Sequence, residues 1–178
     1  DHVTILGAGM DETIIEPGNG RRAFVGYNLN GGSLKNMTIQ PSGTVRSLED
    51  QGGCLHYTFS GVSLDSVKVK DCNSYTKGGG IYISNAKSGK AIINNTLIEG
   101  ASTKLGGGIY ISGSGSTLHT PIFSHVTVSN NTAEYGGGIY VGRSNSHMVN
   151  SIFWDNTPQS IYFQTDPGDY NCWYNTNL

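Results

Sequence analysis

Two kinds of short apolar run recur along this chain in a fixed order. In the first kind polar and apolar residues alternate, and successive copies begin 30, 29, 30 and 26 residues apart, at Leu34, Leu64, Ile93, Phe123 and Val149. The second kind is entered through glycines and occupies 52–57, 78–83, 106–111 and 136–141, with a degenerate copy at 159–163. Alternation with a period of two is typical of β-strands, and no segment carries the 3.6-residue period of a helix. The pattern predicts an all-β chain with a repeat of about thirty residues.

A single repeat of this kind cannot bury its own apolar face, so successive repeats are expected to stack as coils. Stacking places each strand about 4.8 Å above the equivalent strand of the previous coil, and the inward residues then form continuous apolar columns. Pairs such as Val67 and Val69, or Ile81 and Ile83, supply those columns. The triple glycines permit a sharp, close-packed entry into the second strand. We predict a single-stranded parallel β-solenoid of about five to six coils, forming one domain over residues 1–178.

The regular coils are expected over about 3–163 and a terminal fold-back or cap over 164–178. The first coil is irregular. Val3 and Ile5 match the two inward-facing residues of the first kind of run, such as Val67 and Val69. The run 22–25 stands where the glycine-rich strand belongs. A charged insertion between Pro41 and Gln51 should project from one corner. Solenoids normally begin with a capping element. None is visible here, which predicts a segment excised from a longer protein.

Composition restricts the classes of function. Charged residues make up 13% of the chain and 26 of its 178 residues are glycine, so uncharged polar residues must cover much of the surface. A net charge of −2 provides no basic surface for nucleic acid or anionic membranes. No apolar run approaches the length of a transmembrane helix. Cys54, Cys72 and Cys172 are an odd set without metal-like spacing, so we expect neither a metal site nor a disulfide framework.

Three motifs resemble those of known proteins. Val-Ser-Asn-Asn-Thr-Ala (128–133), followed by Gly-Gly-Gly-Ile-Tyr (136–140), resembles repeats of right-handed parallel β-helix proteins in the pectate-lyase-like superfamily. The segments 151–156 and 170–175 resemble closing coils of large surface proteins, including choice-of-anchor and adhesin-like families. The segment 153–156 with the glycine-rich strands is also similar to passenger repeats of polymorphic outer-membrane proteins. The resemblance implies a right-handed β-helix and leaves the activity open, because this fold hosts lyases, hydrolases, esterases and non-catalytic adhesins.

One predicted column of outward side chains is mostly aromatic. Coil stacking brings its members into a ladder whose residues are His56, Tyr82, Tyr110, Tyr140 and Tyr162. As an exposed strip, this ladder would bind carbohydrate rings through its aromatic faces and hydroxyls. As a purely structural feature, it would stabilise the outer face of a sheet that lacks charge. The structural interpretation is favoured.

A second predicted column places charged residues on the other strand. Its members are Gln40, Lys70, Glu99, Ser129 and Asp155, and Lys70 beside Glu99 forms an exposed ion pair of under about 1 kcal/mol. Under a lyase interpretation, Lys68, Lys70, Asp71 and Glu99 form the site, with Ca²⁺ neutralising a uronate carboxylate. The paired aspartates and the Gly-His-Gly segment of a polygalacturonase-like hydrolase are absent, which argues against a hydrolase.

Three further residues receive structural roles. His125 is expected in a polar column with Asn36, Ser66, Asn95 and Ser151, as a hydrogen-bonded member of that column. Asn130 and Asn131 follow an inward strand at a corner, where asparagine tolerates left-handed backbone and pairs with turn backbone.

The sequence favours a non-catalytic scaffold or adhesin domain at the cell surface or outside the cell, in contact with carbohydrate or another surface. It implies no cofactor, no nucleic acid and no membrane insertion. Two alternatives are a polysaccharide lyase or glycoside hydrolase fragment, and a filament subunit whose end coils stack on one another.

Overall fold

A computed structural model describes residues 3–18, 20–41, 51–86, 91–113 and 120–164. These residues form strands and turns and no helix. The strands in chain order are β1 (Val3–Leu6), β2 (Ile14–Ile15), β3 (Phe24–Tyr27), β4 (Gly32–Ile39), β5 (Leu55–Thr58), β6 (Ser63–Lys70), β7 (Ile81–Ser84), β8 (Ile92–Asn94), β9 (Leu97–Glu99), β10 (Ile109–Ser112), β11 (Ile122–Ser124), β12 (Thr127–Ser129), β13 (Ile139–Gly142), β14 (His147–Val149), β15 (Ile152–Trp154) and β16 (Ile161–Phe163).

The strands lie in two parallel sheets that face each other across the core. Sheet 1 has ten strands and sheet 2 has six, β3, β5, β7, β10, β13 and β16. Every pairing is parallel and joins equivalent positions of neighbouring coils, such as Ile81 with Ile109 and Ile109 with Ile139. The predicted all-β parallel solenoid is therefore confirmed, with about five turns.

Left-handed backbone at fixed places turns each coil. Residues with φ of 46–68° recur in columns along the stack, and asparagine and glycine tolerate this conformation best. The columns are Asn36, Ser66, Asn95, His125 and Asn150; Asp71, Gly100, Asn130 and Asp155; Gly52, Gly78, Gly106 and Gly136; and Asn28, Phe59, Asn85 and Arg143. The turns therefore superpose from coil to coil, which keeps the strands between them in register.

The inward residues form the single apolar core predicted from the alternation. Met37, Ile39, Val67 and Val69 are fully buried, as are Ile81, Ile109 and Ile139, which open the three strands that follow a glycine triple. Each such side chain contributes roughly 1.5–3 kcal/mol when removed from water. Branched residues suit this environment because both sheets are parallel and packed on their inner face.

Two buried asparagines close the corner beside the second sheet-1 strand. The Asn131 side chain accepts a hydrogen bond from the Ala101 amide (2.9 Å) and donates to the Ile98 carbonyl (3.1 Å). It also donates to Oδ1 of Asn156 (3.0 Å), and Nδ2 of Asn156 in turn donates to the Val128 carbonyl (2.8 Å). The predicted structural roles of Asn131, and of Asn130 with its φ of 56°, are confirmed.

The polar column that contains His125 is confirmed except at its last member. His125 takes left-handed backbone, and its ring contacts Ser124 Oγ (2.9 Å) and the Asn150 side chain (3.3 Å). Asn150, and not Ser151, occupies the equivalent position of the last coil. The reason is that Phe123 pairs with Met148, so the last interval is one residue shorter than the sequence pattern suggested. Met148 is buried where Val149 was expected, and Val149 faces outward.

The expectation of no disulfide is wrong for two of the three cysteines. Cys54 precedes β5 and Cys72 follows β6, and their sulfurs are bonded with Cα atoms 5.7 Å apart. The sequence does not reveal this proximity, because the two cysteines are 18 residues apart. They meet because one turn of the solenoid brings the residue before β5 beside the residues that follow β6. The insertion at 42–50, residues 165–178 of the fold-back predicted over 164–178, and Cys172 lie outside the described residues.

Candidate functional site

The aromatic ladder forms as predicted along the outer side of sheet 2. Val25, His56, Tyr82, Tyr110 and Tyr140 occupy equivalent positions of successive strands, and Tyr162 follows. The rings stack with centroid separations of 4.7, 5.3, 5.0 and 5.1 Å. The planes of Tyr82 and Tyr110 are 1° apart. Stacking at this distance leaves each inner ring with its two faces against its neighbours.

The predicted exposure of this ladder is wrong. Tyr82, Tyr110 and Tyr140 are only 8, 5 and 8% exposed and form a small apolar cluster of their own. A second row, formed by the residues before each glycine corner, covers them. Leu105 packs against the cluster, and the Lys77 ammonium lies 5.0 Å from the Tyr110 ring centroid. The sharp glycine corner folds this row against the ladder.

Polar contacts hold two members of the ladder, His56 at its start and Tyr140. The His56 ring contacts the Gln51 carbonyl (3.2 Å) and Thr58 Oγ1 (3.0 Å). The Tyr140 hydroxyl donates to Gln164 Oε1 (3.1 Å). The ladder therefore has the geometry of a packed secondary core. Its ring faces are not available as a platform for sugars.

The four residues of the lyase interpretation do lie together on the outer face of sheet 1. Lys68 pairs with Glu99 (3.3 Å) and Lys70 with Asp71 (3.9 Å). Lys70 and Glu99 are cross-strand neighbours as predicted, but the carboxylate of Glu99 turns to Lys68, which corrects the expected pair. Both pairs are partly exposed, and such surface pairs contribute up to about 1 kcal/mol each.

The column of charged and polar residues that was predicted to end at Asp155 has a different last member in the structure. Ser129 pairs with Trp154, so Trp154 and not Asp155 follows Lys70, Glu99 and Ser129. Asp155 instead takes the left-handed corner position with a φ of 51°. Within the described ranges, no group of three or more His, Cys, Asp or Glu side chains has the geometry to hold a metal ion. No helix long and apolar enough to cross a membrane occurs in that part of the chain.

An outward aromatic residue that sequence reasoning missed lies on β15. Phe153 faces the core, so its neighbours Ile152 and Trp154 face outward, and they are 59 and 71% exposed. The alternation itself carries this signal. The sequence pattern aligned the last coil one residue too late, so it assigned Asp155 to the outward position that Trp154 occupies.

Among the described residues, the apolar core is open to a groove beside the first coil. A groove of about 240 Å³ lies between β1 and β3, and Ile5, Phe24, Leu29 and Tyr57 contribute to its lining. Gly26 leaves room there for the Tyr57 ring, which a Cβ atom on that glycine would contact at 2.7 Å. Burial raises the pKa of the Tyr57 phenol above its usual range. Val3 is 64% exposed although its strand continues the inward pattern.

Comparison with known proteins identifies one repeat. Residues 125–142 match the model of the Chlamydia polymorphic membrane protein repeat, and this stretch runs from the left-handed corner at His125 to the end of β13. No curated protein and no solved structure matches the chain, and the resemblance to the pectate-lyase-like superfamily is not confirmed. Polymorphic membrane proteins are a surface-associated family of the outer membrane. The matched repeat and the parallel solenoid together fit the expected link to the passenger segments of these proteins.

Proposed function

We propose that this chain is a non-catalytic, adhesin-like passenger scaffold, exposed at the cell surface, which contacts carbohydrate or another surface. The observation that carries the proposal is the match of 125–142 to a surface-protein repeat within a stack whose strands keep register from β3 to β16. An in-register stack of this kind presents its outer faces as long, rigid surfaces along one axis.

The charged cluster supports a scaffold over a lyase. Catalysis by proton abstraction requires a base that is free to reach the substrate and a cation that neutralises the carboxylate. Here Lys68 and Lys70 are each paired with a carboxylate on the outer face of sheet 1. The geometry is that of two surface ion pairs.

Retention on surfaces tests the proposed function. Beads coated with the chain are expected to be retained on cultured animal cells or immobilised glycans, whereas beads coated with heat-unfolded chain are not. The same chain, incubated with soluble polygalacturonate and neutral glucans, is expected to release no unsaturated product and no reducing ends. Product release that is lost in Lys70→Ala would instead establish the lyase, and absence of retention on every surface would refute the adhesin-like role.

A second candidate function is end-to-end self-association, which the apolar groove between β1 and β3 favours. β1 and β3 each pair on one edge only among the described strands, and unpaired edges beside exposed apolar side chains are templates for further strands. A head-to-tail contact that does not close on itself produces a filament.

This candidate predicts assembly that depends on concentration. Sedimentation velocity should show species that grow with concentration and are reduced in Ile5→Lys, because a charge on an edge strand opposes pairing. The matched control Tyr75→Lys places the same charge on an exposed aromatic position away from the groove and should assemble like the parent. A monomer at all concentrations, or equal assembly in both variants, would exclude this contact.

A further inference from the structure

We infer that Trp154 and Ile152 form the apolar floor of a binding site for a neutral hexopyranose ring. This inference rests on the proposed function and gives the carbohydrate contact a definite place. It moves that contact from the buried ladder on sheet 2 to the outer face of sheet 1.

The first observation is that Trp154 has an uncovered ring. The other exposed aromatic residues in the described part of the chain each have a partner. Tyr27 packs edge-on against Phe59 (6.0 Å), Lys104 lies 5.2 Å above Tyr75, and Tyr135 packs on Tyr162 at 5.2 Å. None of the ring contacts of the described residues involves Trp154, which is 71% exposed. An exposed indole is costly to leave in water and is a common anchor of binding sites.

The second observation is the shape of the floor. Ile152 and Trp154 are two residues apart on β15, so their side chains stand on the same face about 7 Å from each other. Their partners on β12 of the neighbouring coil are Thr127 and Ser129. Thr127 is half-buried, whereas Ser129 is only 8% exposed and is not available to a ligand. The result is an apolar strip with the half-buried Thr127 beside it, which suits the apolar face of a sugar and one of its outward hydroxyls.

The third observation is a polar corner at the end of the strip. The Asn130 amide donates to the Trp154 carbonyl (3.1 Å), so the two corner residues Asn130 and Asp155 lie next to Trp154 in neighbouring coils. Both corner residues take left-handed backbone, and both are exposed. A carboxylate accepts hydrogen bonds from sugar hydroxyls, whereas an amide both donates and accepts. The indole N–H adds a further donor.

Charge selects a neutral sugar over a uronate. On the same face, three coils earlier in the stack, Lys68 and Lys70 are paired with Glu99 and Asp71. Asp155 follows Trp154 directly in the chain and is exposed, and its carboxylate would repel a carboxylate on the ligand. The site therefore differs from the lyase interpretation both in position and in the charge of the ligand.

Indole NMR signals test this site directly, because the chain contains only two tryptophans. In ¹H–¹⁵N spectra the indole signal that disappears in Trp154→Phe is that of Trp154. Titration with neutral gluco-, manno- and galacto-oligosaccharides is expected to shift this signal with saturation for at least one of them. Hexagalacturonate is expected to bind about tenfold more weakly or not at all.

Two variants and one control complete the experiment. Trp154→Ala is expected to weaken neutral-sugar binding by about tenfold or more. Asp155→Asn, which keeps a residue tolerant of left-handed backbone, should narrow the preference for neutral over acidic oligomers. The control Tyr75→Ala should bind like the parent. Saturable binding that persists unchanged in Trp154→Ala, or a Trp154 signal that no neutral oligomer shifts, would overturn the site. Retention of coated beads by cells in that case would leave the proposed function intact.

Discussion

Gly107→Ala is expected to destabilise the solenoid by about 3 kcal/mol or more, enough to unfold a marginally stable domain. A Cβ atom at this position would overlap the carbonyl oxygen of Gly137 and lie 2.7 Å from that of Thr132. These are backbone atoms of the next coil, so no rotamer change relieves the clash. The Gly137 carbonyl also accepts the Gly108 amide at 3.0 Å. Moving it away would weaken a hydrogen bond between the coils.

Urea unfolding followed by circular dichroism measures this effect. Gly18→Ala is the matched control, because a Cβ atom there meets nothing within 4 Å. The control should leave the free energy of unfolding unchanged or raise it slightly, since alanine restricts the unfolded chain. Equal midpoints for Gly107→Ala and Gly18→Ala would mean that the coils are farther apart at this corner than the structure shows.

Tyr110→Ala is expected to lower the free energy of unfolding by about 3–5 kcal/mol, as truncation of a buried aromatic side chain does. Tyr110 stands in the middle of the ladder with a ring on each side, at 5.3 and 5.0 Å, and is 5% exposed. Its removal leaves a gap between Tyr82 and Tyr140 and exposes both rings. Tyr110→Phe keeps the stack and should cost less than about 1.5 kcal/mol.

The same unfolding measurement tests whether the tyrosine ladder is a packed core or an accessible binding strip. Tyr75→Ala removes an aromatic ring that is 56% exposed and should change stability by about 0.5 kcal/mol or less. If Tyr110→Ala were as stable as Tyr75→Ala, the ladder would not be a packed core. In that event the interpretation of its rings as an accessible sugar-binding strip would regain support.

The fold was accessible from sequence because it depends on a repeated local rule. Alternation with a period of two, copied about every thirty residues, determines which side chains point inward, whatever the rest of the chain does. This rule alone assigns Ile81, Ile109 and Ile139 to one buried column, and Tyr82, Tyr110 and Tyr140 to one stacked column. The left-handed corners were partly visible as well, through the glycine triples and Asn130.

Register in the last coil and the burial of outward residues were not accessible in the same way. Apolar and polar residues alternate in the last coil whether Met148 or Val149 is aligned with Phe123. Only the observed pairing of Phe123 with Met148 shows which residues face outward. That single residue decides whether Trp154 or Asp155 lies on the open sheet face. Similarly, alternation assigns Tyr110 to the outer side without showing that Leu105 and Lys77 fold over it.

By itself, the sequence determined the strands, their parallel stacking and the composition of the apolar columns, because these follow from side-chain alternation within each repeat. Only the tertiary structure decided which outward side chains are covered, that Cys54 reaches Cys72, and which carboxylate Lys68 meets. These contacts join residues from different coils or from opposite sides of a corner. Their distances depend on how sharply each corner turns, a property of the assembled stack that no single repeat contains.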